Sequence, residues 1–280
     1  MLAIRSSTLL LCTFLYTAGT LPALADETRI TIKKTASQDI KNEDYYFKRV
    51  LELALRKTAN VYGKAVIDEL QHDISEKRLQ SQLVDKRIDL LWAPDSAALE
   101  TTFLSVKISL LKELNDYRLL LIRPEQQAEF SRVRSLNDLR KFRGGMNAQW
   151  HDTEIMEANS LVLVKAVGYG KLFKMLAAKR FDYFSRGLYQ ISTEVGLYPE
   201  LNLAIEKDLM LHYSNQVYFF VNKDNTLLAE RLKVGLEAAQ KDGSFDALFN
   251  SIPRYQWANE YLKHHKRRII KLQPIDKVTR

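Results

Sequence analysis

The chain has 280 residues, 46% of them apolar, and carries 42 Lys and Arg against 34 Asp and Glu for a formal charge of +8. A chain of this size and apolar content can bury a core of its own, as one large domain or two lobes. A single cysteine, Cys12, excludes a disulfide framework, and the absence of a low-complexity tract excludes a disordered or fibrous class.

In chain order, Arg5 is followed by the apolar run 9–16 and then by Pro22-Ala23-Leu24-Ala25. Basic, apolar and Ala-x-Ala segments in that order predict a cleavable signal peptide over residues 1–25, with cleavage before Asp26 and export to the periplasm. The apolar run is shorter than the roughly 20 residues that span a bilayer, and Leu11 precedes Cys12 where a lipoprotein signal has a small residue. Cleavage removes Arg5 and Cys12, leaving 255 residues (280 less 25) at a charge of +7 with no thiol chemistry. Part of the positive excess is His264-His265-Lys266-Arg267-Arg268, which reads as a solvated end rather than a phosphate or membrane-surface patch. No nucleic-acid partner is expected.

Residues 29–33 alternate with β-branched side chains and predict the first strand. Asn42-Glu43-Asp44 opens a helix whose apolar face runs from Tyr46 to Leu55. A strand around Val66-Ile67, a short helix from Ser75 to Leu83, and a strand over 88–92 follow. Strand, helix, strand, helix, strand is the grammar of an α/β layer.

After a strand at 117–122 the pattern restarts. Ser135-Leu136-Asn137-Asp138-Leu139 reads as a capped helix, 142–146 as a strand ending in glycines, and Asp152-Thr153-Glu154 as the cap of the next helix. A strand over 161–165, a helix over 169–179 and a strand over 181–184 complete a second α/β unit. A strand over 216–221 precedes a helix over 226–241 closed by Asp242-Gly243, with helices over 245–249 and 254–264 behind it. No Pro/Gly/Ser-rich linker separates the units.

Several phrases fall in a recognisable order: Lys86-Arg87-Ile88-Asp89-Leu90, Tyr117-Arg118-Leu119-Leu120-Leu121, Ser135-Leu136-Asn137-Asp138-Leu139, Lys179-Arg180-Phe181-Asp182, and the helix from Gly235 to Gly243. In this order the chain resembles the bacterial periplasmic solute-binding proteins of family 3, the polar amino-acid-binding type. The first and fourth phrases are similar to the family's two "gly-arg-x-asp" strands. The resemblance implies a two-lobed α/β type II periplasmic-binding fold, its lobes joined by two crossing hinge strands. Lobe one would hold residues 26–116 and 215–280, lobe two residues 117–214, with a ligand cleft between them.

The family's carboxylate-clamping arginine is missing after the third strand of lobe one, where residues 94–101 contain none and Glu100 stands in its place. A carboxylate there repels another carboxylate or attracts an ammonium group. Trp92, at a strand end beside Ala93-Pro94, can stack on a ligand or cover a cation, or can serve as a core residue. Gly144-Gly145 followed by Gln149-Trp150-His151-Asp152-Thr153 makes a strand–glycine–helix junction, where Trp150 can wall the cleft and Asp152 can reach it or act as a cap. Arg186, after the 181–184 strand, offers a planar fork for a carboxylate and could replace the missing arginine, or could pair with Glu194. Arg118 reads as half of a structural ion pair with Asp116 or Glu113.

Enzymatic signals are absent: there is no Gly-x-Ser-x-Gly elbow, and His72, His151, His212, His264 and His265 show no metal-binding spacing. The expectation is a monomeric periplasmic binder, without cofactor or metal, that closes on a small polar ligand such as an amino acid through Trp92, Glu100, Trp150, Asp152 and Arg186. Its partner would be a membrane transporter permease; a sensing module that regulates a membrane partner without transport is the other reading.

Overall fold

The computed structural model describes residues 27–33, 35, 42–71 and 76–275. The expected signal peptide and His72 lie outside them. Thr28–Ile32 (β1) leads through Glu43–Lys57 (α1) and Ala59–Tyr62 (α2) to Ala65–Glu69 (β2), which pairs with β1 in parallel. Asn42 caps α1 by accepting from the Asp44 N–H. Acids in its first turn and Arg56-Lys57 in its last complement the helix dipole. Glu76–Val84 (α3), Leu90–Pro94 (β3), Ala97–Thr102 (α4) and Phe103–Val106 (β4) complete the first unit.

The chain crosses through one 3-10 turn, Leu114–Asp116, into Tyr117–Ile122 (β5). Gln127–Phe130 (α5), Leu136–Leu139 (α6), Arg143–Asn147 (β6), His151–Ala158 (α7), Val162–Ala166 (β7), Tyr169–Ala177 (α8), Tyr183–Gly187 (β8), Leu188–Glu194 (α9), Ala204–Ile205 (β9) and Leu209–His212 (β10) build the second unit. Residues 213–216 cross back to Val217–Asn222 (β11), followed by Thr226–Lys241 (α10), Ser244–Asn250 (α11), Pro253–His264 (α12) and Arg268–Lys271 (β12).

Among the described residues the strands form three sheets. They are β1-β2, a three-stranded β3-β11-β4, and a seven-stranded sheet in the order β12-β10-β5-β8-β6-β7 with β9 beside β5. β11 runs antiparallel to both β3 and β4. The expected division departs from this topology at β12, which pairs in parallel with β10 and so adds residues 268–271 to the second unit's sheet.

The two Arg-x-Asp phrases fold alike. At the end of α3, the Arg87 N–H donates to the Gln82 carbonyl (2.8 Å) and the Lys86 N–H to Leu83 (3.3 Å). At the end of α8, Arg180 donates to Met175 (3.0 Å) and Lys179 to Leu176 (3.1 Å). This double bond is the Schellman cap, which needs a left-handed residue at its pivot; Lys86 and Lys179 supply it at φ 58° and 60°. Three residues on, each aspartate joins two strand ends. Asp89 accepts the Thr31 N–H on its carboxylate (2.6 Å) and donates its own N–H to the Thr31 carbonyl (2.8 Å), and Asp182 does the same with Arg143 (2.8 and 2.7 Å).

Two glycine positions are explained by packing. A Cβ at Gly145 would lie about 2.1 Å from the Phe181 ring, so the β6 glycines make room for aromatic side chains rather than form an anion loop. Gly235 lets α10 lie against α1, since a Cβ there would meet the Ala54 carbonyl oxygen at 2.2 Å. Gly→Ala inside an unobstructed helix gains about 1 kcal/mol. Gly235→Ala is instead expected to cost about 1–3 kcal/mol through overpacking, read as a lowered urea midpoint. Lys179→Gly relieves left-handed strain and is expected to raise stability by about 0.5–1 kcal/mol; a lower midpoint would contradict the strain argument.

Candidate ligand-binding site

The two crossings are tied by a buried ion pair. Arg118, on β5, is 4% exposed and donates from Nε to Asp152 at 2.8 Å. Its Nη1 donates to the Asn115 and Tyr117 carbonyls, and Nη2 to Asn115 Oδ1 at 3.3 Å. Asp152 also accepts the Tyr213 hydroxyl (2.6 Å) and the Asn215 amide (3.3 Å), both on the returning crossing. Burial alone would raise the Asp152 carboxyl, but the Arg118 charge and the Tyr213 hydroxyl outweigh it and hold the group at about 2. The helix begins two residues earlier than a cap at Asp152 implies, with Trp150 at the cap position, so Asp152 serves this pair and not a cap. The Arg118 partner is therefore on α7 rather than at Glu113 or Asp116.

A second buried pair lies above it. Arg186 falls within β8, where it grips Glu194 of α9 with two parallel bonds, Nε at 2.7 Å and Nη2 at 2.6 Å. Tyr169 donates to the same carboxylate at 2.8 Å. The Trp150 ring lies 4.6 Å from the guanidinium and stacks on Phe184 at an interplanar angle of 9°. The Arg186–Glu194 reading that sequence left open is what the fold adopts, and it is buried rather than on the surface.

The first unit supplies the facing wall. Trp92 stacks on Phe47 with centroids 5.7 Å apart, and its Nε1 donates to Asp44 at 3.0 Å. Lys33 pairs with Asp44 at 2.7 Å and lies 4.9 Å over the Trp92 ring. One hydrogen bond joins the walls directly, from Gln190 Nε2 of α9 to Glu43 of α1.

Between these walls is a cavity of about 770 Å³, a volume suited to a small molecule. Trp92, Trp150, Asp152 and Arg186 are among its lining residues. Glu100 is not. On α4 it turns toward β4, where it pairs with Lys107 and accepts from Ser105 at 3.4 Å, which corrects its expected position in the cleft. Lys33, Glu43, Asp44 and Tyr169 line the cavity without having been singled out from sequence. The acids of α1 read there as ordinary helix-dipole partners; only tertiary packing turns them toward a cleft. Among the described residues no group of three or more potential ligands is placed to hold a metal ion, and no helix is long and apolar enough to cross a membrane.

Asp152 is depressed in the folded state, so the stability it contributes is present above its unfolded pKa of about 3.9 and is lost as pH falls toward 2. The linkage amounts to about 2 kcal/mol. Asp152→Asn leaves the Arg118 charge buried without its partner and is expected to cost about 3–5 kcal/mol at pH 7. It should also flatten the decline in unfolding free energy between pH 4 and pH 2, measured by urea titration at each pH. An unchanged slope would remove Asp152 as the titrating group.

No protein-family model and no curated sequence matches the chain, but solved structures do. A periplasmic binding protein of Salmonella typhimurium with high arginine specificity aligns with a TM-score of 0.59 at 13% identity, over 80% of this chain and 99% of its own. A protein of glutathione import from Streptococcus mutans gives 0.59 at 12% identity, over 81% and 95%. An ancestral arginine-binding protein bound to glutamine gives 0.58 at 15% identity, over 81% and 99%. The crossings, the sheet order and this similarity together give the chain the two-lobed type II periplasmic-binding fold.

Proposed function

We propose that the chain is a periplasmic solute-binding protein that closes two lobes on a small polar ligand and delivers it to a membrane transporter. Lobe one comprises residues 26–116 and those from 215 through α12; lobe two comprises 117–214 with β12 added to its sheet. The two crossings at residues 114–117 and 213–216 act as the hinge. The observation that carries this reading is the cavity of about 770 Å³ whose walls come from both units and are bridged by Gln190 and Glu43. The folds of transporter-associated binding proteins, including one described as the substrate-binding protein of an amino acid ABC transporter, support it.

Within the cleft, Trp92 and Trp150 are the aromatic walls, and Asp152 and Arg186 hold the polar floor through their own partners. Ligand contact at these four residues is part of the proposal. A ligand at 100 times its Kd contributes about 2.7 kcal/mol by mass action, expected to raise Tm by roughly 5–10 °C for a chain of this size. It should also change the tryptophan emission, because two of the three tryptophans line the cavity. Trp150→Ala is expected to weaken the hit by about tenfold through lost ring contact. A thermal-shift screen of amino acids, amines and small organic acids with no hit, or an equal shift for Trp150→Ala, would count against the reading.

A further inference from the structure

The charges of the cavity are unevenly matched. Among the described residues its lysine and arginine side chains are Lys33, Arg118 and Arg186, and each already faces a carboxylate of the same wall: Asp44 at 2.7 Å, Asp152 at 2.8 Å and Glu194 at 2.6 Å. Two further carboxylates, Glu43 and Glu154, line the cavity without a lysine or arginine partner among the described residues. Glu154 faces His151 at 3.2 Å, and Glu43 receives the Gln190 amide. The described lining therefore carries more carboxylates than lysines and arginines, in a chain of formal charge +8.

Among the described residues, a ligand carboxylate entering this cavity meets no lysine or arginine that is not already paired with a carboxylate. Every nitrogen of Arg118 is spent on Asp152, Asn115 or Tyr117. Arg186 keeps only Nη1, beside a carboxylate that already holds Nε and Nη2 at 2.7 and 2.6 Å. The ligand's negative charge would also add to those of Glu43 and Glu154. An ammonium or guanidinium meets the opposite conditions. Glu43 offers a carboxylate in the same lining as the Tyr189 ring, and Trp92 shows a cation held on a ring face there, with Lys33 4.9 Å over it. Ser185 adds a buried hydroxyl, 2% exposed and without a hydrogen-bond partner, in the same lining.

We propose that the cavity takes an organic cation without a carboxylate, a primary amine or guanidine, with its charged head at Glu43. This rests on the cavity being the ligand site of a binding protein. The departure from amino-acid recognition follows from the wall itself: the groups that could clamp an α-carboxylate are already clamped from within.

Matched pairs that differ by one carboxylate test it. Isothermal titration of the exported protein with agmatine against arginine, and cadaverine against lysine, is expected to show at least tenfold tighter binding of the decarboxylated member of a pair. Glu43→Gln keeps an acceptor for the Gln190 amide while removing the charge, and is expected to weaken amine binding tenfold or more with the Tm of the protein alone unchanged. Glu100→Gln, outside the cavity, should leave it as it was. Tighter binding of arginine or lysine, or of any amino acid or organic acid than of the amines, would overturn the proposal while leaving a solute-binding protein. Unchanged amine affinity in Glu43→Gln would overturn the assignment of the charged head. Failure of every amine, amino acid and acid to bind would overturn the binding function, and this inference with it.

Discussion

The pair between Arg118 and Asp152 is the constraint on which the rest depends. Arg118 belongs to the strand that carries the chain into the second unit, Asp152 to the first turn of α7, and Tyr213 and Asn215 to the segment between β10 and β11 that carries it back. Two charges removed from water are stable only when geometry and additional donors replace their hydration. Here the carboxylate receives a guanidinium, a phenol and an amide, and the guanidinium spends its other nitrogens on main-chain and Asn115 oxygens. Asp116 reinforces the same place by accepting the Asn215 N–H at 2.8 Å and the Gln216 amide at 2.7 Å. The two crossings are therefore held as one joint, and the cavity floor is bonded to both of them.

The second constraint is compensation of charge. Arg186 is bound by Glu194, covered by Trp150 and approached by Tyr169, so a side chain that in isolation invites an anion is neutralised before any ligand arrives. The same holds for Lys33 with Asp44. What a cleft recognises depends on which of its charges lack a close partner, and among the described lining residues Glu43 and Glu154 are the carboxylates with no lysine or arginine in ion-pair contact. Net charge of the whole chain has no bearing on that local balance, because exposed charges beyond a Debye length of about 8 Å are largely screened at physiological salt.

Much of the fold was legible in the residues. The periods of α1 and α10, the capping box at Ser135 and Asp138, and the apolar run of β5 each state their element locally. The twin Arg-x-Asp phrases were legible as a resemblance, and the structure supplies their physics: a left-handed pivot and an aspartate that joins two strand ends. The elements that escaped, α2, α4, α5, α9, β4, β9, β10 and β12, are short, and the strands among them pair with partners distant in sequence. Trp92, Trp150, Asp152 and Arg186 could be singled out because they stand at strand ends or at a helix start. Glu43 could not, since an acid in the first turn of a helix has a local explanation that hides any other. Glu100 misled for the converse reason: its position matched a family landmark, but the turn of α4 sends it to Lys107.

One arrangement bears on how the chain comes to exist at all. β3 and β4 are not bonded to each other; each bonds to β11, which lies between them, with Trp92 opposite Phe219 and Ser105 opposite Phe220. A ribosome delivers β3 and β4 early and β11 only after the whole second unit has been made. Until then both strands stand with unpaired edges and apolar faces, the condition under which nascent chains associate wrongly. The second unit has most of its sheet in one unbroken stretch of sequence and can assemble meanwhile. The part of the molecule that comes first in the chain is thus among the last to be finished, because β3 and β4 pair only through a strand that follows the whole second unit.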